Sequence, residues 1–324
     1  MIPELSLLAA LAGGLLILGL SGDLLIRGAE GFCSKLGVSP LLVGIFVVGI
    51  GTSAPEMFIS VKAVLDGAPG LAVGNIVGSN IANILLVPVL PALLFRVDLG
   101  GRNQPLALLA MLAASAAWVY VLISGALTQT TALFFVIALA AFSLVLVLTM
   151  SDHEDEEEDG PPPSIFMAFV FTAAGVIGLP LGAHLAISGG AGIARELGIS
   201  EAIIGLTLLA VGTSLPEVSA ATAAALRRQT DMLVGNILGS NTFNILAAGG
   251  VVALFGPVDI DDTFANYDLW IMSGAALLFA ILILFRVRIN RLGGLILGLF
   301  YLAYIAGLVL GWNILEPVER LIGG

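Results

Sequence analysis

The chain has 324 residues, of which 59% are hydrophobic and 11% charged, with a formal net charge of −11 and a mean hydropathy of +1.09. A soluble globular protein carries about 25% charged residues, so this composition excludes one. The lone Cys33 excludes an internal disulfide and is read as a small apolar packing residue.

Ten apolar stretches long enough to cross a bilayer as helix follow one another, at about 5–30, 40–64, 71–94, 104–123, 129–150, 164–192, 202–226, 232–255, 267–285 and 293–314. The first is too long, and too polar at its end (Asp23, Arg27, Glu30), for a cleaved signal peptide. The second carries Gly51-Thr52-Ser53-Ala54-Pro55-Glu56, and the third carries Gly74-Asn75-Ile76-Val77-Gly78-Ser79-Asn80-Ile81-Ala82-Asn83. After the fifth comes an acidic run, Asp152 to Asp159, closed by Gly160 and three prolines. It holds seven of the 23 acidic residues, repels itself and stays solvated, and the prolines keep it out of either flanking helix. It is read as a flexible linker, not as a regulatory cation patch. The expected organisation is therefore a five-helix unit over 1–150, a cytoplasmic linker over 151–163 and a second five-helix unit over 164–324.

The seventh and eighth stretches repeat the motifs of the second and third. Gly212-Thr213-Ser214-Leu215-Pro216-Glu217 and Gly235-Asn236-Ile237-Leu238-Gly239-Ser240-Asn241-Thr242-Phe243-Asn244 each lie 161 residues after their counterparts. No gap is needed to align 49–85 with 210–246, and 17 of those 37 positions are identical. The same offset aligns Leu36-Gly37-Val38-Ser39 with Leu197-Gly198-Ile199-Ser200 and sets Asp23 opposite His184. These two are read as a helix-terminal Asp and a packed or interfacial His. Because five is odd, the second unit must enter the membrane from the opposite side. That is the inverted-topology repeat of secondary transporters, with ion sites near the midplane where discontinuous helices meet. The fold expected is an all-α polytopic membrane protein of ten transmembrane helices, with broken helices 2, 3, 7 and 8 around a central ion site.

Orientation follows from the cations. With the N-terminus outside, the cytoplasmic side holds Arg27, Lys35, Arg96, Arg102, Arg227, Arg228, Arg286, Arg288 and Arg291, and the outer side only Lys62, Arg195 and Arg320. That bias places both termini extracytoplasmic in a multi-pass protein of the inner (plasma) membrane.

Pro55 and Pro216 sit deep in apolar helices, where proline removes a donor and presses on the carbonyl four residues back, at Gly51 or Gly212. Carbonyls freed at membrane depth need a neighbouring helix, water or a cation. Glu56 and Glu217 follow directly, with Thr52, Ser53, Thr213 and Ser214 on the same turns. Ser79 and Asn83 share a helix face, as do Ser240 and Asn244, whereas Asn75, Asn80, Asn236 and Asn241 are read as partners of the broken backbone. Glycines 74, 78, 235 and 239 allow close helix approach.

Ionisable residues in such a place mark an ion pathway. Two carboxylates in one low-dielectric site cannot both ionise without a compensating cation. Hard oxygen donors suit Ca²⁺, which takes six to eight of them in flexible geometry; Mg²⁺ sheds water reluctantly, and zinc and copper lack soft ligands here. Two or three Na⁺ could share the same oxygens, which makes exchange the natural mechanism. An intramembrane enzyme would need an asymmetric site, yet every polar group is duplicated and His and Cys are nearly absent, so no enzymatic activity and no cofactor are expected.

The two regions resemble the α-repeats of the calcium/cation antiporter superfamily, most closely the prokaryotic sodium/calcium exchangers, over essentially the whole chain. The resemblance implies exchange of Ca²⁺ for Na⁺ by alternating access, with a Ca²⁺/H⁺ antiporter on the same fold as the alternative. It implies Glu56 and Glu217 as principal Ca²⁺ ligands. Thr52, Thr213, Ser53, Ser214, Ser79 and Ser240 would line Na⁺ sites with the carbonyls of Gly49 and Ala210, and Asn83 and Asn244 would lie at the centre. Helices 1 and 6 would slide as a gating pair against an eight-helix core. Some relatives carry Asp where Asn244 stands, so this site has two formal negative charges, matched by one Ca²⁺ or two Na⁺. The partners implied are those ions and the lipid bilayer, with no nucleic acid and no obligate protein partner.

Overall fold

The computed structural model describes residues 4–101, 104–125, 127–149, 163–199, 204, 210–256 and 267–312. The acidic run, Ser200, Arg102, Arg320 and both chain ends lie outside the described residues, as does part of the expected seventh helix. Helix α1 covers Leu5–Leu36, α2 Pro40–Leu65, α3 Pro69–Leu94, α4 Gln104–Ile123, α5 Gln129–Thr149 and α6 Ile165–Glu196. In the rest, α7 comprises Ala210–Gly212 and Leu215–Leu226, α8 covers Thr230–Leu254, α9 Leu269–Leu284 and α10 Arg291–Leu310. Among the described residues, eight helices are long and apolar enough to cross a membrane, and α9 is a shorter apolar helix.

Local sequence explains the ends. Ser39 and Ser164 cap α2 and α6 by accepting from the backbone N–H groups of Leu42 and Met167, the role small hydroxyl side chains play at helix starts. Gly37 and Gly311 close α1 and α10 with φ of +65° and +66°, a left-handed turn that costs glycine nothing. A two-residue antiparallel ribbon, Val97–Asp98 (β1) with Arg288–Ile289 (β2), ties the chain after α3 to the chain after α9. The Arg288–Asp98 ion pair, at 2.9 Å, lies across it.

The motif helices are the centre of the bundle. Within their most apolar windows, 83% of α8 and 72% of α3 is buried, against 22% for both α1 and α6. The outer helices turn side chains such as Leu133, Leu144, Leu148, Phe166, Phe169, Leu299 and Leu302 outward. The interior instead holds Thr52, Ser53, Glu56, Asn83, Ser214, Glu217, Asn236, Ser240 and Asn244, all fully buried. Apolar outside and polar inside is the arrangement lipid demands of a transport path.

Helices α2 and α8 meet backbone to backbone. A Cβ on Gly235 would come within 2.5 Å of the Leu41 carbonyl, one on Gly239 within 2.6 Å of the Ile45 carbonyl, and one on Gly44 within 2.6 Å of the Met232 carbonyl. Helices α1 and α6 run antiparallel along a second seam of this kind. Gly14 faces Gly182 and Ala186, Gly175 faces Leu25, Gly28 faces Ala168 and Thr172, and Gly189 faces Leu7 and Leu11.

The breaks expected in helices 2, 3, 7 and 8 are not found uniformly. Helix α2 is continuous through Pro55, and α8 is continuous as well. Each contains a wide π-helical segment instead, Gly44–Gly49 in α2 and Asn244–Ala248 in α8. A π turn pairs each amide one residue further back, so it loosens the carbonyl ladder without cutting the helix, and such turns gather at functional sites. Interruptions occur in α3, at residues 86–88 around Pro88, and in α7, at Thr213–Ser214. There Pro216 falls in the first turn of the restarted helix, where its missing N–H is not needed.

Candidate ion-binding site

The two repeated motifs converge at the middle of the bundle. Glu56 comes from α2 and Glu217 from the first turn of the restarted α7; each is 1% exposed, and their carboxylates are close enough to interact electrostatically. The Ser53 hydroxyl donates to Glu217 Oε1 at 3.3 Å. The carboxylate of the second half is therefore met by a hydroxyl of the first, whereas no such bond reaches Glu56.

Beside this pair lies a ring of neutral oxygens. Thr52 Oγ1 stands 3.1 Å from Asn236 Oδ1 and 3.4 Å from the Gly49 carbonyl. Ser240 Oγ stands 3.2 Å from Asn236 Oδ1 and 3.3 Å from that same carbonyl. Glycine at position 49 lets the chain approach α8 this closely, since a Cβ there would already sit 3.2 Å from the Ser240 nitrogen.

Several buried polar atoms have no hydrogen-bond partner: both Glu56 carboxylate oxygens, Glu217 Oε2, Ser214 Oγ, Asn83 Nδ2 and both polar atoms of the Asn244 amide. An unmet buried polar group costs about 1–3 kcal/mol, and more if charged. They are gathered on four helices, and most are oxygen acceptors of the kind a hard cation takes. Among the described residues, no group of three or more His, Cys, Asp or Glu is present, which leaves two carboxylates and otherwise neutral oxygens.

Of the expected ligands, Glu56, Glu217, Thr52, Ser53, Ser240 and the Gly49 carbonyl are brought into one constellation. Asn83, Asn244 and Ser214 are buried with polar atoms unpaired. Ser79 is buried on α3, and Thr213 is half-buried in the α7 turn. Ala210 opens the described part of α7, and its side chain lies outside the described residues. The outer asparagines differ from expectation in part. Asn75 does serve the facing helix, donating to the Glu56 carbonyl at 3.0 Å. Asn80 and Asn241 instead return to their own helices, at the Ile76 and Ile237 carbonyls, and Asn236 joins the oxygen ring.

The Asp23–His184 equivalence carries no shared role. His184 is exposed on α6, whereas Asp23 pairs with Arg27 at 2.9 Å and with Arg227 at 2.8 Å. Arg227 also holds Glu30 at 3.0 Å, so it clamps one end of α1 to the end of α7. No spacing rule pairs residues some 200 positions apart, and the sequence gives no sign of this clamp.

The chain also matches a known family. The family described as sodium/calcium exchanger protein matches residues 6–148 and again 167–310. The chain belongs to that family. It is 36% identical over 308 residues to the putative antiporter CaxA of Alkalimonas amylolytica, covering 90% of this chain and 95% of that protein. It is 30% identical to the sodium/calcium exchanger MaX1 of Methanosarcina acetivorans, again over 90% and 95%. Among solved structures, the sodium-calcium exchanger NCX_Mj soaked with zero Na⁺ and Ca²⁺ superposes with a TM-score of 0.77 at 31% identity, covering 94% of this chain and 99% of the other. This family member is an all-helical, multi-pass membrane cation exchanger of the prokaryotic type.

Proposed function

We propose that the protein is a secondary active antiporter that exchanges Ca²⁺ for Na⁺ by alternating access, with Glu56 and Glu217 as the principal cation ligands. The observation that carries this reading is the pair of buried carboxylates, Glu56 with both oxygens and Glu217 with one lacking a hydrogen-bond donor, while the Ser53 hydroxyl of the opposite half reaches the other Glu217 oxygen. Thr52, Ser53, Thr213, Ser214, Ser79 and Ser240, with the carbonyls of Gly49 and Ala210, supply the weaker oxygens that suit Na⁺. Asn83 and Asn244 complete the centre as neutral ligands. Two carboxylates balance one Ca²⁺ or two Na⁺, so the ions compete for one charge complement and exchange follows. The two family matches, starting 161 residues apart at 6 and 167, support five-helix repeats on either side of the acidic linker. We further infer ten spans in all, both termini extracytoplasmic, and residence in the inner membrane.

The test is ⁴⁵Ca²⁺ uptake into proteoliposomes under imposed Na⁺ or pH gradients. Uptake driven by an outward Na⁺ gradient at fixed pH is expected. Uptake that follows the pH gradient and ignores Na⁺ would replace this reading with Ca²⁺/H⁺ antiport on the same fold.

Two further results follow from the charge distribution. Deleting residues 152–159 should leave the rate of Na⁺-driven uptake within about twofold, because a solvated charged run needs no packed partner; uptake abolished in a well-expressed deletion would make the run functional. Asn244→Asp, which places a third carboxyl near Glu56 and Glu217, couples proton binding to cation occupancy. Its Ca²⁺ flux should fall more steeply below neutral pH than wild type, and Asn83→Asp should behave alike. Superimposable pH profiles for all three proteins would remove both asparagines from the ion site.

A further inference from the structure

The two halves are not equivalent at one buried amide. Asn75 and Asn236 occupy matching positions, yet their side chains do different things. Asn75 Nδ2 donates to the Glu56 carbonyl and to Ser60 Oγ, both at 3.0 Å, and is thereby held on its own repeat. The residue matching Ser60 is Ala221, which is buried and has no hydroxyl to offer. Asn236 Nδ2 accordingly has no partner, and the amide turns its oxygen to Thr52 across the repeat boundary and to Ser240 one turn further along its own helix.

We propose that Asn236 is a positioning residue for Na⁺, acting as the acceptor that draws the Thr52 and Ser240 hydroxyl hydrogens away from the Gly49 carbonyl. Each hydroxyl has one hydrogen and two acceptors within reach. For Thr52 the distances are 3.1 Å to Asn236 and 3.4 Å to Gly49, and for Ser240 they are 3.2 Å and 3.3 Å. The shorter contact goes to Asn236 in both cases. With the hydrogens committed there, the Gly49 carbonyl and the two hydroxyl oxygens keep lone pairs for a small cation. Without Asn236, the hydroxyls close onto Gly49, and a cation must break both contacts to enter. The Ser60-to-Ala221 difference thus makes one of two otherwise duplicated oxygen clusters the better prepared for Na⁺. The inference rests on the exchange reading above and adds an inequality between the halves that this reading lacks.

The experiment uses the purified full-length protein in detergent, measuring equilibrium ⁴⁵Ca²⁺ binding and its displacement by NaCl. Choline chloride replaces NaCl to hold ionic strength constant. Asn236→Ala should raise the Na⁺ concentration for half-displacement by about two- to tenfold, the equivalent of one net hydrogen bond, and leave the Ca²⁺ dissociation constant unchanged. Ala221→Ser removes no atom but offers the Asn236 amide the hydroxyl that Asn75 enjoys. It should shift Na⁺ displacement in the same direction, and it keeps the test decisive if Asn236→Ala fails to fold. Asn75→Ala should lower thermal stability without changing the Na⁺ to Ca²⁺ ratio. Unchanged Na⁺ displacement in both Asn236→Ala and Ala221→Ser would overturn the proposal, as would Na⁺ and Ca²⁺ affinities falling together. Wild-type protein from which Na⁺ displaces no Ca²⁺ would instead sink the exchange reading, and this inference with it.

Discussion

Glu56→Gln and Glu217→Gln should each abolish Na⁺-driven Ca²⁺ uptake while yielding folded, extractable protein. Glutamine keeps the shape and fits a site already lined with amides and hydroxyls, so the fold has little to lose. The ion has much to lose. Removing one partner of a buried, compensated charge pair costs about 3–5 kcal/mol. At about 1.4 kcal/mol per decade, that corresponds to a loss of roughly two to three and a half orders of magnitude in Ca²⁺ affinity. The check is ⁴⁵Ca²⁺ uptake in proteoliposomes, with size-exclusion profiles to confirm folding. Either variant transporting like wild type would end the assignment of these carboxylates as principal ligands.

The second large effect is structural. Gly239→Val should destabilise the protein by about 3 kcal/mol or more and abolish transport, because the new Cβ would lie 2.6 Å from the Ile45 carbonyl. Overpacking of a tight interior usually costs about 1–3 kcal/mol when side chains can adjust. Here the obstacle is backbone inside a π-helical segment, which has no rotamer to change. The damage also reaches the ion site, since pushing α8 from α2 separates Ser240 from the Gly49 carbonyl, now 3.3 Å apart. Gly274→Ala is the control, because nothing lies within 4 Å of a Cβ at that position. Thermal unfolding followed by tryptophan fluorescence distinguishes the two. Equal melting temperatures would show that the α2–α8 seam yields more easily than its geometry implies.

Much of this architecture was legible in the residues alone. Hydrophobic stretches locate helices well when each must cross a bilayer, and the stretch at 104–123 coincides with α4. The duplicated Pro-Glu and Gly-Ser-Asn motifs pointed to the buried oxygens because polar groups in an apolar helix must be satisfied or used. The path of the backbone was less legible. Proline says that a hydrogen bond is missing, not how the helix absorbs the loss. Pro55 is accommodated inside a continuous helix with a π segment upstream, while Pro216 starts a new helical segment after Thr213 and Ser214. Identical motifs thus fold differently in the two halves.

Asn236 was missed for a related reason. Its repeat partner does serve the facing backbone, and only the loss of a hydroxyl at Ala221, fifteen positions earlier, frees Asn236 for another role. The β1–β2 ribbon and the Arg227 clamp were missed because each joins segments far apart in the chain, with no periodic signal to announce them.

The glycine seam between α1 and α6 has a mechanical consequence. Along it, Gly14, Ser21 and Gly28 on one helix and Gly175, Gly182 and Gly189 on the other recur every seven residues. The bare backbone at each glycine is filled by the opposite helix. A slip of one turn, about 5.4 Å, would take each glycine out of register with the backbone that now fills its gap. The pair therefore has a single comfortable register and behaves as one stiff beam. Beside close packing of Gly22 on the Ser219 backbone, its polar ties run to α7: the Ser219 hydroxyl on the Leu18 carbonyl at 2.6 Å, and Arg227 on Asp23 and Glu30. Those are discrete polar latches, which can open and re-form one at a time. Force applied to either helix is thus shared by both, and the fastenings that give way first are the ones to α7.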